Sequence, residues 1–265
     1  RTDSAQSYGM VPYHGYGIID IVADESRGLV YYVCRQDSAT SDHLWGVYDT
    51  RAKRHQLLGP HTCLYGSTLL GADGRAYVMT SEYQLACYNP DTKQLTIRDV
   101  LLDSKPFDPA PGLAINVRLT TWVMAPGGKA AYLLMLSNPM LYSIDLAGAG
   151  KTTVATALWN MLPTNPPTSS YSTLTVHPDG NVYALFTTAD PAGRAKGQLN
   201  VLVRYEPTNQ AMRVLGALAI RNKDYFDFRP QADGTPKPWS TGVETLADGT
   251  LVPTAVHMGM IAGRD

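Results

Sequence analysis

Five short stretches of the 265-residue chain concentrate side chains that can hold sugars or move protons. They are Tyr13-His14-Gly15-Tyr16, His61-Thr62-Cys63-Leu64-Tyr65-Gly66, Asn116-Val117-Arg118, Ser169-Ser170-Tyr171 and Trp239-Ser240-Thr241. His14 and His61 titrate near neutral pH and can exchange protons there. Arg118 can grip a carboxylate through two parallel hydrogen bonds. Tyr16, Tyr65, Tyr171 and Trp239 offer flat amphipathic faces with a polar handle. His257, in Thr254-Ala255-Val256-His257-Met258-Gly259, follows the last clear strand and can serve either face of a sheet. Histidine, tyrosine and arginine together fit eliminative cleavage of a uronate glycan. A base removes the proton α to the carboxylate, an acid protonates the departing glycosidic oxygen, and a cation neutralises the carboxylate. Structural roles compete at each position. Tyrosines pack between sheets, Arg118 can join a salt bridge, and His61, after Gly59-Pro60, can be a turn residue.

Other chemistries find no motif. The chain lacks a His-Glu-x-x-His pair, a nucleophile elbow and a dinucleotide fingerprint. Gly148-Ala149-Gly150-Lys151-Thr152 departs from the glycine spacing of a P-loop and lies between strands. Most Asp and Glu fall in turns, which disfavours a paired-carboxylate glycosidase. Cys34, Cys63 and Cys87 lack zinc spacing, although Cys34 and Cys63 could approach across neighbouring sheets. No metal is expected, and the sequence names no cofactor. His177 reads as part of a turn and His43 as part of a polar loop.

The elements that must position these residues recur. A turn followed by a short strand appears at Asp24–Val33, Ala72–Met79, Pro126–Leu134, His177–Leu185 and Ala247–Thr254. Asp-Gly pairs at such turns supply the positive φ that a tight hairpin needs. A second signature, an apolar strand ending at a turn, follows four of them: Leu44–Asp49, Gln84–Pro90, Met140–Asp145 and Val201–Pro207. Each leads into a further strand: His55–Leu58, Gln94–Val100, Thr152–Leu158 and Met212–Leu218. Four short strands in about 50 residues describe the blade of a β-propeller. The expected fold is all-β: four complete four-stranded blades and a partial fifth. It would form a five-bladed ring or part of a larger propeller. One domain, 1–265, would hold blades near 16–58, 66–100, 118–158, 172–218 and 239–265. An unrelated β-sandwich is the competing architecture. Counting back seven residues from each turn lands on Tyr16, Tyr65, Leu119, Tyr171 and Ser240, at the start of the inner strands. Thr164–Ser170 and Lys223–Pro238 read as Pro-rich insertions.

With its repeat, its Tyr13–Tyr16 and Gly59–Gly66 segments and Val117-Arg118, the chain resembles propeller-type polysaccharide lyases, ulvan lyases in particular. That resemblance implies a propeller with His, Tyr and Arg clustered at the channel mouth. It implies His14 or His61 as base, Tyr65 or Tyr171 as acid and Arg118 as neutraliser, with Tyr16, Trp239 and His257 against substrate. The family's seven blades exceed this length, so blades would be missing or would come from another chain. A non-catalytic propeller, acting as binding module or structural subunit, is the alternative. A metal-dependent lactonase would need inward acidic and Asn ligands that the repeat does not reveal.

Composition narrows the partners. With 44% hydrophobic residues and 17% charged, the chain can bury a core and is not a disordered chain. A net charge of −1 offers no electrostatic footprint for nucleic acid. No apolar run approaches the ~20 residues of a membrane span. The expected partner is an acidic polysaccharide or oligosaccharide, with another protein chain completing the propeller as a further option. Low charge with many Tyr, Thr, Gly and Pro suits a secreted or periplasmic β protein. The start at Arg1, without a leader, suits a mature form or a processed fragment.

Overall fold

The computed structural model describes residues 17–35, 43–59, 63–109, 111, 120–135, 138–162, 172–190, 193–219, 232–234 and 243–253. Among them every regular element is a strand and none is a helix. They fall into two compact units. The first holds the described residues of Arg1–Thr120, Gly127–Ala131 and Ile144–Ala155; the second holds those of Thr121–Pro126, Tyr132–Ser143 and Thr156–Asp265.

The first unit opens with an antiparallel sheet of β1 (Gly17–Asp24), β2 (Leu29–Arg35), β3 (His43–Asp49) and β4 (Arg54–Leu57), in that order. Its first turn is built by Asp24, whose Oδ1 accepts from the Arg27 amide (3.1 Å) and the Ser26 hydroxyl (2.6 Å). Gly28 completes the turn at φ 69°, where a Cβ would stand 2.8 Å from Thr50 Oγ1. The position therefore selects glycine twice, by conformation and by space.

Next come β5 (Cys63–Leu70), β6 (Ala76–Thr80), β7 (Leu85–Asn89) and β8 (Gln94–Leu102), again antiparallel. The short β9 (Lys105–Pro106) pairs with β8. The middle strand β6 is buried at every residue, whereas β4 alternates between exposed and half-buried positions. Continuous burial marks a strand covered on both faces, and alternation one covered on a single face. Tyr31, Val33, Trp45 and Val47 pack against Ala76, Val78, Ala86 and Tyr88. Tyr31 lies 6.3 Å from Trp45 and meets Tyr88 edge-on at 6.2 Å. Arg27 crosses the same joint, bonding Asp24 (3.0 Å) and Asp91 (3.1 Å).

β10 (Thr120–Met124), β11 (Ala130–Met135), β12 (Asn138–Asp145) and β13 (Thr152–Asn160) follow in order. Within the first unit, Thr152–Ala155 of β13 pair in parallel with Asp99–Leu102 of β8. The repeat does not announce this join.

The second unit contains the antiparallel sheet β14 (Ser172–Val176), β15 (Val182–Ala189), β16 (Gln198–Glu206) and β17 (Ala211–Ala217). It also holds the hairpin β18 (Val243–Thr245) and β19 (Leu251–Pro253). Buried Asn200 ties the two together, accepting from Thr187 (3.1 Å) and donating to the Pro253 carbonyl (2.8 Å). Glu244 accepts from the Lys196 (2.7 Å) and Gly197 (3.0 Å) amides, which hold its carboxyl below the usual range.

His43 corrects the sequence reading. It is not a loop residue: it opens β3 opposite Arg35 and is 1% exposed. Its Nδ1 lies 3.2 Å from the Cys63 carbonyl, a partner twenty positions away that gives this imidazole a place in the core.

Candidate functional site

Five strands each follow one of the chemistry-bearing segments in the chain. β1 opens at Gly17 after Tyr16, and β5 at Cys63 after His61-Thr62. β10 opens at Thr120 after Arg118-Leu119, β14 at Ser172 after Tyr171, and β18 at Val243 after Trp239–Gly242. His14, Tyr16, His61, Arg118, Tyr171, Trp239 and His257 lie outside the described residues. Tyr65 belongs to β5, and its side chain lies outside the description. The Thr164–Ser170 insertion and most of Lys223–Pro238 lie outside it too.

The described surroundings of β1 and β5 are firm. Asp20 sits at a bulge of β1 and accepts from the Thr68 amide of β5 at 2.6 Å and from Ile21 at 2.9 Å. Burial pushes its carboxyl upward against those two hydrogen bonds. Thr68 Oγ1 in turn accepts from Trp45 Nε1 at 3.2 Å. This chain of bonds fixes where β5 runs beside β1. Cys63 is buried, and burial, with Cys34 nearby, drives its thiol far up. Cys34, Cys63 and Cys87 are buried and form no disulfide, and burial suppresses thiolate chemistry.

A histidine lies among tyrosines in the first sheet. Tyr32 Oη lies 3.1 Å from His55 Nδ1, and the imidazole stacks on Tyr48 with ring centres 4.5 Å apart. Burial lowers the His55 pKa. A Cβ on Gly46 would meet the Tyr32 ring at 2.5 Å, so the ring is clamped against the sheet. This pair packs the first sheet. His177 is likewise structural, its Nδ1 2.9 Å from Asp179 Oδ1 in the turn before β15.

The first unit also carries a cavity of about 370 Å³ that the sequence reading missed. Arg75, Arg98 and Lys151 line it, and no lining residue is a carboxylate. Arg98, on β8, is 4% exposed and donates to the carbonyls of Leu146 (3.0 Å) and Gly148. Its signal was the Gly148–Thr152 stretch, of which Gly148–Lys151 lie in the turn between β12 and β13 and Thr152 opens β13. Among the described residues no group of three His, Cys, Asp or Glu could hold a metal ion.

No protein-family model matches the chain, and no curated protein matches it. Solved structures similar to it include TolB from Acinetobacter baumannii, at 13% identity and a TM-score of 0.47. That match covers 91% of this chain and 55% of TolB, so the chain spans little more than half of that structure. The periplasmic gluconolactonase of Pseudomonas aeruginosa is similar at 11% identity, 92% and 71% coverage and a TM-score of 0.49. A protein from Lactobacillus plantarum is similar at 14% identity, 90% and 69% coverage and a TM-score of 0.48. None of these three is a polysaccharide lyase.

Proposed function

We propose that the chain is a β-propeller of four-stranded blades, working outside the cytoplasm, that cleaves uronic-acid-containing glycans by β-elimination. One observation carries this reading: β1, β5, β10, β14 and β18 each follow directly after a segment rich in His, Tyr, Trp or Arg. In a propeller the residues entering the first strand of each blade surround the central channel. Low charge and abundant Tyr, Thr, Gly and Pro support the location. Among the described residues no helix is long and apolar enough to cross a membrane.

In this reading His14 or His61 takes the proton α to the uronate carboxylate. The electron pair forms the new carbon–carbon double bond as the glycosidic C–O bond breaks. Tyr65 or Tyr171 protonates the leaving oxygen. Arg118 holds the carboxylate and stabilises the charge that develops on it. Tyr16, Trp239 and His257 contact the sugar rings. The test is incubation with a panel of uronic-acid polysaccharides, reading ultraviolet absorbance of the unsaturated product. Wild type should turn over, and Arg118→Ala should lose about a hundredfold or more. No absorbance change with any glycan defeats the reading.

A non-catalytic propeller is favoured by a different observation. β17 ends its sheet with Val214 at 55% and Leu215 at 48% exposure, an apolar edge that a further strand could cover. Light scattering decides it: a monomer that cleaves glycan supports the enzyme, and a stable assembly without turnover supports the structural subunit.

A further inference from the structure

We infer that the cavity lined by Arg75, Arg98 and Lys151 is a binding site for a small phosphomonoester, such as a sugar phosphate. The inference stands apart from the glycan reading, because none of its residues belongs to the segments before those five strands.

Charge is the first argument. Three cations face about 370 Å³, and no lining residue is acidic. Arg98 and Lys151 have no carboxylate partner among the described residues. The Arg75 guanidinium has only Asp73, at 3.7 Å, and both side chains are 45% exposed. Carbonyl dipoles from Leu146 and Gly148 partly stabilise the buried Arg98 charge without cancelling it. A group carrying two negative charges complements this surplus better than a single carboxylate.

Donor supply is the second. Asn89 Oδ1 already accepts from the Asp91 amide (3.0 Å) and the Thr92 amide, so its Nδ2 hydrogens are what it can offer the cavity. The amides of Gly148, Ala149 and Gly150 donate to no partner among the described residues. The turn lies close over Arg98: a Cβ on Gly148 would stand 3.1 Å from its Nη1. Lys151 is fixed at the far end of the turn, where its carbonyl accepts from the Asp99 amide at 3.0 Å. The backbone amides of the turn thus lie between Arg98 and Lys151.

Size is the third. The volume falls within the range of small-molecule pockets and exceeds what inorganic phosphate alone fills. The remaining wall is supplied by Cys87, Gln94, Thr96 and Ile97.

Calorimetry on the full chain tests this with three probes: a hexose phosphate, inorganic phosphate and galacturonate. The hexose phosphate should bind saturably and tightest. Arg75→Gln and Lys151→Gln should each weaken it about tenfold, and the pair together should abolish it. Both side chains are solvent-exposed, so thermal melts of these variants should match wild type. Arg98→Lys supplies a third, buried variant that keeps the charge and loses the fork. The inference is overturned by no saturable binding of the hexose phosphate, by preference for galacturonate, or by equal affinity for inorganic phosphate. Unchanged binding in the double variant overturns it as well.

Discussion

The first unit contains two joints between successive groups of strands, and they are built from opposite materials. Between β1–β4 and β5–β8 the facing residues are Tyr31, Val33, Trp45 and Val47 against Ala76, Val78, Ala86 and Tyr88. Rings and branched chains interlock there, and Thr68 answers the one indole donor. Between β8 and the chain around β13 the contact is backbone: a parallel run from Thr152 to Ala155, with Arg98 under the preceding turn. Both joints connect similar strand–turn repeats, so topology does not decide the difference. The side chains do. Large apolar residues close the first joint, whereas a guanidinium and a glycine-rich turn leave the second with a charged cavity.

The largest effect should come from opening the apolar joint. Trp45→Ala removes a ring that is 3% exposed and strands Thr68. It should cost about 3–5 kcal/mol, read as a lower urea midpoint. Arg98→Ala should cost less, about 1–3 kcal/mol, because it leaves two carbonyls short of a donor but little apolar volume empty. If Arg98→Ala proved the worse of the two, the contrast between the joints would be wrong. A smaller, pH-dependent effect belongs to His55. Burial lowers its pKa from the ordinary 6.5, so the unfolded chain binds the proton more readily. That contribution to stability is present above pH 6.5 and is lost as pH falls through the folded-state value. His55→Phe, which keeps a ring against Tyr48, should flatten this acid-side slope in pH-dependent unfolding. The smallest effect should be Asp91→Asn. Its bond to Arg27 lies on the surface with the carboxylate 68% exposed, and the urea midpoint should stay within error at moderate salt.

The turns were legible because their chemistry is local. Asp24 to Gly28 fit a turn within five residues, and β2 starts at Leu29. The same logic puts β6 after Gly74, β11 after Gly128, β15 after Gly180 and β19 after Gly249. What stayed hidden depends on distant partners. Arg98 follows Leu95 and Ile97 in β8, and nothing local in the sequence marks it as buried. It is buried because a turn fifty residues later covers it. His43 follows the polar run Ser38–Asp42 and reads as loop. The Cys63 carbonyl gives it a place in the core. The glycan-site residues were picked from side-chain type and place in the repeat. With seven outside the described residues, and the side chain of Tyr65 likewise, their roles rest on that reasoning alone.

Cleavage in water enriched in heavy oxygen tests the proposed chemistry most directly. Elimination breaks the glycosidic bond without adding water. Mass spectrometry should therefore find products with one unsaturated uronate end and no heavy oxygen, and Arg118→Ala should give almost none of them. Heavy oxygen in the product ends would mean hydrolysis. That result, or intact glycan throughout, would contradict the account.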